Sequence, residues 1–181
     1  LGNPKGYKLH GDLYMDGVKK VMRHPKEAIQ AGIAYVTEDR KGDGLFLIQD
    51  IKQNISVANL HAISSRGFIN VNEEVKISNE YKRSLNIKAP SVEQLVGNLS
   101  GGNQQKVSLG KWLFVNPRLL ILDEPTRGID VGAKFEIYTI MNKLISEGLS
   151  IIMISSELSE VLGMSDRVYV MAEGKIKGEL S

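Results

Sequence analysis

The 181-residue sequence predicts an α/β fold built on a mostly parallel sheet. Short apolar runs at Ile33-Ala34-Tyr35-Val36, Leu119-Leu120-Ile121-Leu122 and Ser150-Ile151-Ile152-Met153-Ile154 have the length of buried strands. They alternate with stretches of helical periodicity, the pattern of parallel strands joined by helical crossovers. The second run closes on adjacent carboxylates, Asp123 and Glu124, at the strand end where open α/β sheets bind ligands.

The elements follow in order. Lys8-Leu9-His10-Gly11-Asp12-Leu13-Tyr14-Met15 alternates loosely and meets Asp16-Gly17, a hairpin signal, with residues 18–21 as the return strand. Pro25 suits the first turn of a helix with Ala28, Ile29 and Ala31 on its apolar face and Gly32 at its C-terminal cap. The strand at 33–36 runs into a charged cluster, Glu38-Asp39-Arg40-Lys41, and then Gly42-Asp43-Gly44. Residues 51–95 read as mostly helical, with breaks at Arg66-Gly67 and Ala89-Pro90. This block lies outside the strand–helix alternation and is read as an insertion. A helix from Ser100 to about residue 115 is broken by Asn116-Pro117. The later helices are expected at 133–146, ended by Gly148, and at 158–162. Strands at 167–171 and 175–180 join at Glu173-Gly174. The whole reads as one domain in three parts: an antiparallel portion and start of the core at 1–50, a helical insertion at 51–97 and the remaining core at 98–181.

Composition narrows the function. A net charge of +2 implies no broad nucleic-acid footprint, and the absence of cysteine excludes a disulfide framework or thiolate metal site. No run approaches the ~20 apolar residues that cross a bilayer. The first residues, Leu1-Gly2-Asn3-Pro4-Lys5, lack the apolar core of a signal peptide. The chain is expected not to span a membrane, though it can dock on a protein that does.

Three segments carry the chemistry. Ser100-Gly101-Gly102 opens a helix with two residues that weaken it by ~1 kcal/mol each relative to alanine. Ser100 suits the N-cap, and side-chain-free neighbours leave N–H groups open to an anion; a flexible turn before the helix explains the same tripeptide. Asp123 and Glu124 stand at a strand end. In a P-loop NTPase the first would hold Mg²⁺ through water and the second would orient and deprotonate the attacking water. A solvated charge pair is the alternative. Gly128-Ile129-Asp130 can bring a carboxylate to an interface, cap the next helix through Asp130, or do both.

Together these segments resemble the ATPase domain of ABC transporters. Leu99-Ser100-Gly101-Gly102-Asn103-Gln104-Gln105 is similar to the ABC signature, residues 119–124 to a Walker B strand and residues 128–130 to a D-loop. The likeness covers essentially the whole chain. It is closer still to the second ATPase half of bacterial ribose/xylose/galactose/arabinose-type importers, through Thr37-Glu38-Asp39-Arg40-Lys41, residues 98–106, residues 123–134 and Ser155-Ser156-Glu157-Leu158-Ser159-Glu160-Val161. The resemblance implies a P-loop NTPase-like fold, ATP and Mg²⁺ as ligands, and a position on the cytoplasmic face of the membrane. It implies two ATPase halves in one polypeptide, coupled to a membrane permease and, indirectly, to a periplasmic sugar-binding protein. In that likeness Ser100, Gly101, Gly102, Gln104, Glu38 and Asp130 would contact nucleotide, Glu124 and Ser156 would serve catalysis, and Asp123 and Glu38 would face Mg²⁺. The loop 38–41 and the insertion would meet the permease.

The sequence also departs from a complete ATPase. No G-x-x-x-x-G-K-[ST] occurs in it, so the resemblance implies a fragment whose phosphate cradle lies before Leu1 and which is inactive alone. Glu38 stands where many relatives have glutamine, and Arg40 and Lys41 beside it are expected to offset its charge. Ser156 takes the place of the switch histidine; its hydroxyl can bond a γ-phosphate but carries no charge. His10, His24 and His61 form no ligand cluster and are expected at the surface. Both departures resemble a weaker or regulatory half. A division of labour follows: Ser100 would complete the nucleotide site of the other half, while Glu124 and Ser156 would serve this half's own. Two readings compete. A DNA-repair type ABC ATPase would need long heptad repeats, for which 51–95 is too short. Nucleoside or autoinducer uptake shares similar motifs.

Overall fold

A computed structural model describes residues 11–181; His10 and the start of the first expected strand lie outside the described residues. Asp16 and Gly17 both take positive φ, 51° and 73°, as a type I′ turn requires. They pair β1 (Leu13–Met15) antiparallel with β2 (Val18–Lys20). Arg118 holds this turn with a bidentate grip on Asp16 at 2.8 and 3.0 Å. Helix α1 (Pro25–Gln30) starts on proline, whose fixed φ suits a first helical position. It leads through Gly32, at φ 85°, into β3 (Ile33–Val36).

Beyond β3 the chain makes a single wide turn at Arg40–Gly44, capped by Asp39, which accepts from the N–H groups of Lys41 and Gly42 at 3.2 and 2.9 Å. Helix α2 (Ile51–Ser56) opens on a capping box formed by Asp50 and Gln53. Buried Asn54 accepts from Phe46 N at 2.8 Å and donates to Phe46 O and Asp50 O, both at 2.9 Å, so it pins the loop before the helix. A 3₁₀ segment, Val57–Ile63, follows.

Two expectations for this region are corrected. Arg66 and Gly67, at φ 52° and 84°, do not merely interrupt a helix; they turn a small hairpin of β4 (Ser64–Ser65) and β5 (Phe68–Ile69). Helix α3 (Val71–Ser84) stops well before Ala89-Pro90, because Asn86 takes the left-handed conformation, φ 50°, that terminates helices.

Helix α4 (Gly101–Leu113), β6 (Leu119–Asp123), α5 (Val131–Ser146), β7 (Ser150–Ile154) and α6 (Leu158–Met164) then alternate as expected. The order β3-β6-β7 is wholly parallel, with Val36 level with Leu122 and Asp123 level with Ile154. Strands β8 (Val168–Ala172) and β9 (Lys175–Leu180) form the closing hairpin through Glu173-Gly174. The α/β class with its parallel core and antiparallel portions is therefore the observed one. Strand β7 differs from the fully buried strand expected. Among the described residues it pairs with β6 alone, and Ile152 and Ile154 stay about half exposed while Ile151 and Met153 pack on the core.

One core joins the parallel sheet, α4, α5 and the inserted region. Val36, Leu120 and Leu122 of the sheet meet Val107 and Leu109 of α4, Ile137 and Met141 of α5, and Ile51, Ile55, Leu85 and Val96 of the inserted region. Within it α4 buries Lys106, only 1% exposed, whose ammonium pairs with Glu136 and donates to Asn86 O at 2.7 Å. Lys106, and then Lys88 at 3.0 Å, hold the Glu136 carboxyl below the usual carboxylate range. Replacing Glu136 by alanine leaves a buried ammonium with one carbonyl partner. It is expected to lower stability by roughly 3 kcal/mol in urea unfolding.

Candidate functional site

The three parallel strands end at one edge, and their C-terminal residues build the first cluster. Tyr35, two residues back on β3 from the level of Asp123, sends its hydroxyl forward to Asp123 Oδ2 at 2.6 Å. That bond fixes one carboxylate oxygen, and it holds the Tyr35 proton so that the phenol titrates above its ordinary value. Glu124 follows with φ 46°, a left-handed conformation that costs a non-glycine residue ~1–2 kcal/mol. Its N–H donates to Ile154 O at 2.8 Å, and its Oε1 accepts from Ser156 N at 2.9 Å. The strained backbone thus turns the Glu124 carboxylate off the end of β6 and onto the end of β7. The structure places Asp123, Glu124 and Ser156 at the same sheet edge.

A buried carboxylate missed in the sequence braces this edge. Glu160 of α6, 4% exposed, accepts from Thr126 Oγ1 at 2.9 Å and from Ser155 Oγ. It ties the residues just after Glu124 to the residue just before Ser156. The only local signal was an acid in the first turn of a short helix.

The second cluster gathers at the start of α4. Ser100 occupies the N-cap position, but its hydroxyl makes no backbone cap; it accepts from Asn103 Nδ2 at 2.9 Å and remains exposed. Gly101 and Gly102 are explained by close packing. A Cβ on Gly102 would stand 2.5 Å from Ala133 Cβ, and one on Gly101 would stand 2.9 Å from Arg40 Nη2. Gly102 is therefore buried against α5 and not laid open to solvent. Gln104 also turns inward: it is 4% exposed and donates to Val96 O at 3.2 Å. Its side chain does not share the exposed face of Ser100. Asp130 caps α5, accepting from Ala133 N at 3.0 Å, and is exposed.

Glu38 belongs to neither cluster alone. Its carboxylate pairs with Arg127, so the charge offset expected from Arg40 and Lys41 comes from a different residue. Lys41 is exposed, and Arg40 is drawn instead to the carbonyls of Arg127 and Gly128. Among the described residues no three or more His, Cys, Asp or Glu side chains converge as a metal site. Asp123, with one oxygen fixed by Tyr35, fits a Mg²⁺ held mainly by phosphates and water, which takes only one or two carboxylates. Glu38, already paired with Arg127, fits that role less well. His24 and His61 are exposed, as expected.

The model of the ABC transporter family matches residues 7–127. The chain belongs to that family. Among curated members, it is 54% identical over 181 residues to the L-arabinose transport ATP-binding protein AraG of Geobacillus stearothermophilus, covering 100% of this chain and 35% of that protein. It is 54% identical to the xylose import ATP-binding protein XylG of Thermoanaerobacter pseudethanolicus, covering 99% and 35%. It is 53% identical to the ribose import ATP-binding protein RbsA of Oceanobacillus iheyensis, covering 94% and 34%. The chain spans about a third of the length of these relatives. Solved ABC cassettes share its fold: MJ1267 superposes with a TM-score of 0.79 at 23% identity, covering 94% of this chain and 69% of that one. The dimeric MJ0796 cassette bound to ADP and Pi gives 0.76 at 20% identity, covering 94% and 73%. No helix among the described residues is long and apolar enough to cross a membrane.

Proposed function

We propose that the chain is part of an ATP-hydrolysing ABC subunit, its second ATPase half, that drives uptake of a monosaccharide through a membrane permease. The observation that carries this reading is the Glu124 carboxylate held against Ser156 N at the sheet edge, beside an Asp123 anchored by Tyr35. The names of the arabinose, xylose and ribose relatives support the substrate class and the import direction. They also favour a sugar over a nucleoside or autoinducer. The packing of residues 51–96 into the common core weighs against a DNA-repair type with long heptad arms, and no nucleic-acid partner is proposed.

In this reading ATP and Mg²⁺ would bind at the edge, with the phosphate cradle contributed by another part of the subunit. Asp123 would hold the Mg²⁺, which would supply charge neutralisation of the phosphates. Glu124 orients the attacking water and takes its proton; Ser156 presents a hydroxyl toward the γ-phosphate. Ser100 and Gly101, with Asp130 nearby, face the nucleotide of the other half. Gln104 acts from behind, holding the approach to α4 through Val96 O. Alone, the 181 residues are proposed to hydrolyse no ATP. The loop 38–41 and the insertion meet the permease on the cytoplasmic face, with the periplasmic sugar-binding protein engaged only through it. A groove of about 330 Å³ lined by Phe46, Gln53, Val57, Leu60 and Ile69 offers the insertion an apolar seat for such a partner.

A second reading, a catalytically weak regulatory site, is favoured by two observations: Glu38 is paired with Arg127, and Ser156 lacks a histidine's charge. It predicts that the wild-type transporter itself retains uncleaved ATP at this site.

Ser100→Arg tests the partner-facing role. Ser100 is exposed and caps nothing through its side chain, so the fold should tolerate the change. In the complete transporter, ATP turnover and sugar uptake are expected to fall at least ~10-fold, the equivalent of ~1.4 kcal/mol. Wild-type rates in both assays would remove Ser100 from the site.

A further inference from the structure

Arg40 stands where three segments meet. Its Nη1 donates to Arg127 O at 2.8 Å and its Nη2 to Gly128 O at 3.4 Å. These carbonyls belong to the turn that leads to Asp130. The same Nη2 occupies the space that a side chain on Gly101 would fill, 2.9 Å from the position of its Cβ. Its Nε is buried without a partner, and burial pulls the guanidinium below its usual pKa range. Arg40 itself opens the wide turn capped by Asp39, and the neighbouring Glu38 grips Arg127. The loop 38–44 is therefore tied to the 127–128 turn through two residues, Glu38 and Arg40, and Arg40 lies beside the start of α4 in the space a side chain on Gly101 would need.

We infer that Arg40 is the positioning residue that couples the loop 38–44 to the two elements facing the partner's nucleotide, Ser100 at the head of α4 and Asp130 beyond the 127–128 turn. The inference rests on the functional reading above, in which that loop meets the permease. A displacement of the loop carries the guanidinium with it, and the guanidinium carries the carbonyls it bonds. Gly101 is then the residue that makes room for this link: an alanine there displaces the flexible end of Arg40 and so uncouples the loop as surely as removing Arg40 does. Lysine cannot substitute, since a single ammonium cannot present the planar fork that reaches two carbonyls.

The test uses the complete transporter with its permease and sugar-binding protein. Arabinose, xylose and ribose are supplied in turn, and the one that stimulates wild-type ATP turnover is used. The measured quantity is the ratio of stimulated to basal turnover in Arg40→Ala, Arg40→Lys, Gly101→Ala and the Arg40→Ala/Gly101→Ala double variant. A merely structural role lowers both rates alike and leaves the ratio unmoved. Each single variant is expected to lower the ratio at least ~5-fold, and the double variant no further than either alanine single, because both break one link. A ratio preserved in Arg40→Ala or in Arg40→Lys, or losses that add in the double variant, would overturn the assignment. Absence of stimulation in the wild type by any of the sugars would instead remove the functional reading, and the coupling role with it.

Discussion

Replacing Glu124 by glutamine is expected to slow ATP hydrolysis at the site this chain serves by ~10²–10⁴-fold, the usual contribution of a positioned general base. The change is selective. An amide oxygen can still accept from Ser156 N, so the contact that aims the side chain survives, while the capacity to take a proton from water is lost. The backbone at Glu124 stays in its left-handed conformation in either case, so the cost of that strain is unchanged and the urea midpoint should not move. Single-turnover hydrolysis by the reconstituted transporter gives the rate. Nucleotide binding should persist, because Asp123 and its bond from Tyr35 are untouched.

The second large effect lies at Gly102. A methyl group there meets Ala133 Cβ at 2.5 Å and Ile129 Cγ2 at 3.6 Å. Ala133 Cβ is fixed directly to the α5 backbone, so relief requires α4 and α5 to separate. Gly102→Ala is expected to destabilise the domain by ~1–3 kcal/mol, the range for overpacked cores. It should also lower turnover, since the same movement shifts Ser100 at one helix start and Asp130 at the other. Ala133→Gly in the same chain removes the opposing methyl and should restore stability by urea unfolding and turnover together. A double variant no better than Gly102→Ala would place the cost elsewhere.

The case of Gly102 indicates where the sequence was and was not legible. Its presence in Ser100-Gly101-Gly102 was readable as an exposed cradle for an anion, but its environment is a helix–helix contact, and only Ser100 of the three is fully at the surface. Local patterns were read well. Strands β3 and β7 fall at the expected residues and β6 within one of them, because apolar runs bounded by polar ends have few alternatives. The turns at Asp16-Gly17 and Glu173-Gly174 follow from the glycine at the second position of each, which takes positive φ without strain. That Glu124 and Ser156 belong to one site was implied only by the resemblance to ABC ATPases; the structure sets the Glu124 carboxylate against Ser156 N.

What escaped the sequence is polar and long-range. The Tyr35–Asp123 bond joins residues 88 apart, and the Arg40 bond to Arg127 O joins residues 87 apart. Charge adjacency suggested that Arg40 and Lys41 would neutralise Glu38, yet the fold delivers Arg127 to that carboxylate and frees Arg40 for the turn carbonyls. Nothing in the sequence marked Lys106 as buried; its partner Glu136 lies 30 residues away. Gln104 reads as part of the signature face until the helix phase turns it toward Val96.

The most direct measurement is the fate of ATP in a Glu124→Gln transporter given Mg²⁺ and radiolabelled ATP for the time of several wild-type turnovers, then separated from free nucleotide. Uncleaved ATP retained on the Glu124→Gln complex, where the wild type holds ADP or none, is the predicted result. Hydrolysis of the bound ATP at the wild-type rate would contradict the assignment of Glu124 as the base at this site.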